Sequence, residues 1–165
     1  DYVLLFCRQT AMEGGVSELV SFYAAHNQMR AEAPDLLARL YEDFIFDRQR
    51  EHAPDDVMTI EHPLFTWDGS RLLGRLSKRQ VHGGYALAGK AMDEQAAAAL
   101  TALETIMTAP GMRKKFYFEP GQIQIVNNKT CGHSRTAFTD WPEPERHRNL
   151  TRLWLRHEGR VFYNG

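Results

Sequence analysis

The order of its periodic segments is the feature that most constrains how this chain can fold. Residues 2–8 are apolar, β-branched and aromatic, which is typical of a buried strand. Residues 92–107 carry an alanine run with apolar residues on one side, which predicts a helix. Residues 122–126 alternate polar and apolar side chains, which predicts another strand. Strands at both ends and helices between them predict an α+β or mainly β fold, such as a β-barrel with a helical insertion.

Shorter patterns complete the outline of secondary structure. A proline followed by leucines at helical spacing predicts a helix over 34–41. Two apolar runs around Asp68-Gly69 predict a hairpin over 64–76. Residues 17–25 fit a strand or the start of a helix, and the pair Gly83-Gly84 fits a turn. Residues 44–56 fit a loop or a short strand, and further strands are predicted over 116–118, 150–155 and 161–163.

The composition is that of one ordinary globular domain. Of the 165 residues, 43% are hydrophobic and 25% are charged. No apolar run approaches the ~20 residues that a membrane span needs, so we expect no membrane contact. The net charge of -1 argues against a nucleic-acid partner. Cys7 and Cys131 leave a disulfide open, but they fit a reducing cytoplasm as well, and the cytoplasm is the predicted location.

One histidine of the seven, His133, has a setting that suggests function. It follows the predicted strand 122–126 after a short connection. The end of a rigid strand holds a side chain in a fixed orientation, which a binding site requires. The alternative is an ordinary surface or core histidine. Cys131 and His133 alone do not predict zinc, because a structural zinc site needs further ligands.

Arginines recur at every fourth position near the end of the chain. They are Arg148, Arg152, Arg156 and Arg160. On a helix they would form a basic stripe for nucleic acid or an acidic partner. Residues 150–155 are rich in strand formers, however, and on a strand Arg152 shares one face with Trp154. The strand is then either simply half-solvated or directs an arginine into a barrel mouth, where the planar guanidinium can bind a carboxylate.

Several motifs occur together in a known order. They are GQIQIVNN over 121–128, HSRTAFTD over 133–140, RNLTRLWLR over 148–156, and the early GGVS over 14–17. Together they resemble the C-terminal half of the taurine dioxygenase (TauD/TfdA-like) family, whose members are Fe(II)- and 2-oxoglutarate-dependent oxygenases. The resemblance covers nearly the whole chain. It implies a double-stranded β-helix, or jelly-roll, core with helices packed outside.

The resemblance also implies roles for individual residues. His133 matches the distal histidine of the family's iron site, in which a His-x-Asp/Glu pair supplies the other ligands. Arg148 and Ser17 match the residues that hold the far carboxylate of 2-oxoglutarate. Arg152 matches a position that faces the substrate in some members, and Arg152 and Arg135 suggest an anionic small-molecule substrate. The implied cofactors and co-substrates are Fe(II), 2-oxoglutarate and O2.

The chain departs from the family pattern at the His-x-Asp/Glu pair. None of its seven histidines is followed two residues later by Asp or Glu. In the family this pair precedes the GG-x-[ST] turn, and here it would fall before Asp1, where the chain also lacks a start Met. We therefore expect residues 1–165 to be a single domain, N-terminally truncated, that forms the C-terminal part of a dioxygenase catalytic domain. We expect this part alone to be inactive.

The residues leave three hypotheses for function. The leading one is an oxygenase that hydroxylates a small organic substrate and forms succinate and CO2. The second is a non-catalytic jelly-roll domain that binds a carboxylate ligand through its arginines. The third is a basic interaction strip, against which the near-neutral net charge argues. The sequence leaves the primary substrate undetermined, and a homo-oligomer stays open.

Overall fold

The computed structural model describes residues 2–156, which form a mixed fold of short strands and helices. The strands are β1 (Tyr2–Gln9), β2 (Glu13–Gly14), β3 (Ser17–Ser21), β4 (Asp43–Asp47), β5 (Thr59–Pro63), β6 (Phe65–Trp67), β7 (Leu72–Gly74), β8 (Arg113–Phe116), β9 (Ile123–Asn127), β10 (Cys131–Arg135), β11 (Phe138–Thr139) and β12 (Asn149–Leu155). The α-helices are α1 (Phe22–Glu32), α2 (Pro34–Arg39), α3 (Lys78–Ala88) and α4 (Glu94–Thr108). A short 3-10 helix spans Pro144–Arg146.

Two three-stranded antiparallel sheets join the two ends of the described chain. In one sheet β1 lies between β12 and β9, and in the other β3 lies between β10 and β8. The remaining strands form the antiparallel pairs β2–β11, β4–β5 and β6–β7. Each three-stranded sheet therefore takes its central strand from the first 21 residues and its outer strands from beyond residue 112.

Along β1 and β9, the β12–β1–β9 sheet has one buried face and one exposed face. Val3 and Cys7 are fully buried on β1, and Arg152 lies on their face because it is the cross-strand partner of Leu5. The opposite face exposes large hydrophobic side chains. These are Tyr2, Ile123, Ile125, Leu153 and Leu155. The register thus places Arg152, which is itself exposed, on the same face of the sheet as Val3 and Cys7.

The main hydrophobic core lies between the helices and the strands of the middle of the chain. Its largest fully buried side chains include Phe44, Phe46, Phe65, Met29 and Leu40. Helix α4 starts at a standard cap, in which the Asp93 carboxylate accepts a hydrogen bond from the Ala96 backbone N–H at 2.7 Å. One face of the helix is buried against this core, including Ala96, Ala99, Leu100 and Leu103. The core therefore holds the helical region against the sheet that carries β3.

Most of the predicted elements are confirmed. The strands over 2–8, 122–126 and 150–155, the helix over 92–107 and the hairpin over 64–76 correspond to β1, β9, β12, α4 and β6–β7. The shorter helix over 34–41 is α2, and residues 17–25 contain both of the predicted alternatives, first β3 and then α1. The strand predicted over 116–118 lies earlier, as β8. The strand predicted over 161–163 lies outside the described residues.

The turn predicted at Gly83-Gly84 is wrong, because both glycines lie inside helix α3. A Cβ atom on Gly84 would lie 2.3 Å from the backbone oxygen of Ile45 in β4. A Cβ atom on Gly83 would lie 3.1 Å from the Asp47 carboxylate. The glycine pair therefore serves close packing of a helix on a strand backbone, which local sequence does not reveal.

No helix within residues 2–156 is both long and apolar enough to cross a membrane. Cys7, which is buried, and Cys131, which is half-buried, are both free thiols.

We expect Gly84→Ala to lower the free energy of unfolding by about 1–3 kcal/mol, the usual cost of overpacking. The new methyl group would press on the β4 backbone, which cannot rotate away. Gly83→Ala is the matched control, because the Asp47 side chain can move and alanine favours a helix. Urea unfolding of both variants measures the difference. A Gly84→Ala protein as stable as wild type would contradict the close packing of α3 on β4.

Candidate functional site

Two cavities contain most of the predicted site residues. The larger, about 550 Å³, is lined by His133 and Arg152 among others, and we call it the His133 cavity. The smaller, about 310 Å³, is lined by Arg148, Gly14 and Gly15 among others, and we call it the Arg148 cavity. Arg152 lies in β12 and Arg148 directly precedes this strand, yet the two arginines line different cavities.

Three of the predicted residues share one face of the β10–β3–β8 sheet. His133 is the cross-strand partner of Leu19, and Arg135 is the partner of Ser17. Positions two apart on a strand point the same way, so Ser17, His133 and Arg135 lie on one face. Ser17 is buried on this face. The register therefore brings the GG-x-S motif next to the strand that carries the histidine.

The surroundings of His133 favour a neutral imidazole. Burial, and then the positive charge of Arg152, lower the pKa of His133. The neutral ring is the form that binds a metal ion. No group of three or more His, Cys, Asp or Glu side chains within residues 2–156 could hold a metal ion. His133 thus fits as one ligand of a metal, and a complete site needs donors from outside the described part of the chain.

Arg152 reaches the His133 cavity from the other sheet. Its Cζ atom lies 5.7 Å from the ring centre of Trp154, which also lines the cavity. Among residues 2–156, no hydrogen bond or ion pair engages its guanidinium. A guanidinium without an acidic partner beside a cavity can bind an anion.

The Gly14-Gly15 turn shapes the Arg148 cavity. Both glycines have a positive φ, +73° and +68°, which favours glycine over other residues. A Cβ atom on Gly14 would lie 2.3 Å from the Ala137 oxygen, and one on Gly15 would lie 3.3 Å from Arg148 Nε. Both positions favour glycine because their φ angles are positive. A side chain there would also press on the chain at β11 and on the Arg148 side chain.

Two guanidinium groups share one aromatic ring next to this turn. The Cζ atoms of Arg135 and Arg148 lie 4.3 Å and 5.3 Å from the ring centre of Phe138. Burial, and then the charge of Arg135, lower the pKa of Arg148, while Cys7 and Asp140 oppose this. The group still stays charged, because arginine keeps its proton in proteins. Within residues 2–156 its guanidinium has no ion-pair partner, so the positive charge here suits a carboxylate.

The structure therefore divides the predicted residues into two groups. His133 and Arg152 line the His133 cavity, whereas Arg135 lies with Arg148 beside Phe138. The substrate-binding role of Arg135 stays a prediction, and its neighbour is the residue expected to hold 2-oxoglutarate.

The basic helical stripe is not formed. Residues 149–155 are a strand, and Arg156 pairs with Glu51, with 2.5 Å between Nη2 and Oε2. Arg160 lies outside the described residues. Residues four apart on a strand point to the same face but lie about 13 Å apart along it, so these arginines lie in separate environments and form no continuous stripe.

Glu18 is a residue near the site that sequence reasoning missed. It is buried, and its carboxylate lies 2.6 Å from Arg113 Nη1 and 3.2 Å from Lys115 Nζ. It also accepts a hydrogen bond from the Ser134 hydroxyl at 3.0 Å. Ser134 directly follows His133, so Glu18 ties β10 to β3 and β8 at the level of the histidine. An acidic residue inside a largely buried strand was the available signal.

Glu18 should make stability depend on pH in the acidic range. Burial alone would raise its pKa, but Lys115, Ser134 and Arg113 outweigh burial and lower the pKa below 4.5. A carboxyl with a depressed folded-state pKa stabilises the protein above its unfolded pKa, and this stability is lost as the pH falls through the folded pKa.

We therefore expect Glu18→Gln to lower the free energy of unfolding at pH 7 by about 1–3 kcal/mol, as for a buried charged hydrogen bond. The difference from wild type should shrink as the pH falls below 4.5. Glu143→Gln is the control, because its pair with Arg146 is exposed and contributes little. Urea unfolding at several pH values measures both. A gap between Glu18→Gln and wild type that stays constant down to low pH would contradict the ionised network.

The chain is similar to known proteins over most of its length. The model of the family described as "Taurine catabolism dioxygenase TauD, TfdA family" matches residues 1–154. FR-33289 synthase of Streptomyces rubellomurinus is 30% identical over 166 residues, which cover 98% of this chain and 49% of that protein.

Two solved structures share the fold. An asparagine oxygenase in complex with Fe(II), 2S,3S-3-hydroxyasparagine and succinate has a TM-score of 0.68 and 19% identity, over 92% of this chain and 44% of that one. A taurine dioxygenase from Burkholderia xenovorans has a TM-score of 0.63 and 20% identity, over 92% of this chain and 50% of that one. The chain spans about half the length of these proteins.

Proposed function

Because the chain belongs to the TauD, TfdA family of dioxygenases, as its motifs predicted, we propose that it is part of an Fe(II)- and 2-oxoglutarate-dependent oxygenase. The two three-stranded sheets then belong to the jelly-roll core of that enzyme. The reaction is hydroxylation of a small organic substrate, with formation of succinate and CO2. The observation that carries the proposal is the Arg148 guanidinium, which lies against the Gly14-Gly15 turn and shares Phe138 with Arg135.

In this proposal each residue has a defined task. His133 provides an imidazole ligand for iron, and Arg148 binds the far carboxylate of 2-oxoglutarate through two parallel hydrogen bonds. The Ser17 hydroxyl donates a further hydrogen bond to that carboxylate, which its position on the same sheet face as His133 and Arg135 supports. When bound, iron and 2-oxoglutarate supply the activation of O2 that oxidation of a C–H bond requires.

The chain's own side chains position the reactants and exclude water. The Phe138 ring covers one side of the two guanidiniums, which lowers their hydration and strengthens their attraction for a carboxylate. Arg152 fixes an anionic substrate in the His133 cavity, near the histidine on which its charge acts. The substrate is therefore oriented by its charge relative to the metal ligand.

We also propose that the remaining iron ligands come from polypeptide outside residues 1–165. Residues 1–165 are then one part of a larger catalytic domain, and this part alone binds iron weakly. The proposal is supported by the lack, within residues 2–156, of three grouped His, Cys, Asp or Glu side chains that could hold a metal, and by the length of the relatives, about twice that of this chain. The free thiols of Cys7 and Cys131 support a cytoplasmic location.

A non-catalytic carboxylate-binding domain is the second candidate. It is favoured by one observation, that the described residues offer an arginine site for a carboxylate but fewer than three metal ligands grouped together. Such a domain would bind 2-oxoglutarate without forming succinate, so the assays below separate the two candidates.

In the full-length protein, Arg148→Ala should raise the KM for 2-oxoglutarate by roughly 10- to 100-fold, since a charge-assisted bidentate pair is lost. Arg148→Lys should lie between this variant and wild type, because lysine keeps the charge but not the planar fork. Arg146→Ala is the control, since Arg146 is exposed and stacks on Trp141. Succinate formation at varied 2-oxoglutarate concentrations measures the effect, and an unchanged KM in Arg148→Ala would refute the assignment.

His133→Ala should abolish succinate formation and weaken iron binding in the full-length protein, because the variant lacks an imidazole ligand. His147→Ala, at an exposed position, should behave as wild type. Iron titration together with a succinate assay tests both variants. Turnover by His133→Ala at the wild-type rate would show that the site lies elsewhere.

A further inference from the structure

A second histidine, His62, lines the His133 cavity together with His133 and Arg152. It lies in β5 as the cross-strand partner of Phe44, which is fully buried. Cross-strand partners share a face of the strand pair, so His62 lies on the interior side of the β4–β5 hairpin. The hairpin thus contributes the His62 residue to the cavity wall.

The hydrogen bonding of His62 fixes which nitrogen can accept. Its Nδ1 atom lies 2.7 Å from the backbone oxygen of Pro63. A carbonyl oxygen can only accept, so Nδ1 carries the proton and donates it. In the neutral ring Nε2 then holds a lone pair, and no residue within 2–156 forms a hydrogen bond with it. Nε2 is therefore an acceptor without a partner among residues 2–156, on a residue that lines the cavity.

The surrounding charges keep the ring neutral and narrow the choice of ligand. Burial, and then Arg75 and Lys129, lower the pKa of His62, against the opposing effects of its Pro63 hydrogen bond and of Asp43. The same two cations disfavour an ammonium group beside Nε2. An anionic group has no proton to donate to the lone pair. An uncharged donor, a hydroxyl or an amide N–H, satisfies both conditions.

We propose that His62 Nε2 accepts a hydrogen bond from an uncharged hydroxyl or amide N–H of the substrate, whose anionic group is held by Arg152. This inference rests on the proposed function, because it takes the His133 cavity as the substrate site. It narrows the substrate class to small anions that also carry an uncharged hydrogen-bond donor. His62 is then a specificity-determining residue.

The test uses two probes, propane-1-sulfonate and 3-hydroxypropane-1-sulfonate, which carry the same permanent charge and differ by one hydroxyl. Calorimetric titration of the full-length protein, loaded anaerobically with Fe(II) and 2-oxoglutarate, measures their affinities. The hydroxylated probe should bind roughly threefold to tenfold more tightly, as for one net hydrogen bond. Equal affinities of the two probes for the wild-type protein would overturn the proposal.

Two substitutions at His62 test the nitrogen itself. His62→Asn retains an N–H for the Pro63 oxygen but has no atom at Nε2, so the preference for the hydroxyl should vanish while propane-1-sulfonate binding is unchanged. His62→Gln places an amide oxygen near the position of Nε2 and should keep part of the preference. His82→Asn, on the exposed side of α3, is the matched control. A preference that survives in His62→Asn would refute the role of Nε2. If that variant binds neither probe, the Gln variant decides, and equal affinities there refute it too.

Titrations of the same samples distinguish a failure of this inference from a failure of the proposed function. Binding of 2-oxoglutarate is titrated first, without the sulfonate probes. If 2-oxoglutarate binds and the hydroxyl preference is absent, only the role of His62 fails. If 2-oxoglutarate does not bind and the preference persists, the proposed function fails and the subsite stands.

Discussion

The pairing of β1 with β12 is the constraint on which the site depends. It aligns Leu5 with Arg152 and Cys7 with Leu150, and so decides which face of the sheet receives the arginine. A slip of one residue would turn Arg152 onto the outer face, among exposed leucines and isoleucines. Burial of Val3 and Cys7 on the inner face makes that slip costly. The hydrophobic pattern of the first strand thus orients a polar residue near the end of the chain.

Helices and strands with a strong local pattern were predictable from sequence, whereas elements defined by contact with a distant strand were not. The apolar run of β1 and the alanine-rich α4 carry their own signals, because periodicity is a local property. Helix α3 was missed because Gly83-Gly84 has the composition of a turn, and its meaning depends on contact with β4. Strand β5 was missed for a related reason, since it holds a proline and is defined by its pairing with β4.

The same distinction applies to the site. The motifs around His133 and Arg148 identified the family, because order and spacing are visible in one dimension. The association of Arg135 with Arg148 was not visible, since it arises where β2 and β11 bring Phe138 beside the glycine turn. The tautomer of His62 likewise depends on the direction of a neighbouring carbonyl group. Contacts of this kind depend on the register between strands that are distant in sequence. Local sequence patterns do not determine that register, because it depends on the whole fold.

The distribution of charge matters more here than its sum. A net charge of -1 argues against general attraction for polyanions. Within that balance, acidic side chains are placed against particular cations: Glu18 beside Arg113 and Lys115, and Glu51 beside Arg156. Arg148 and Arg152 receive no such partner among the described residues, and both line cavities. A guanidinium without an acidic partner attracts an anion, so these two cavities are where the proposed anionic ligands would bind.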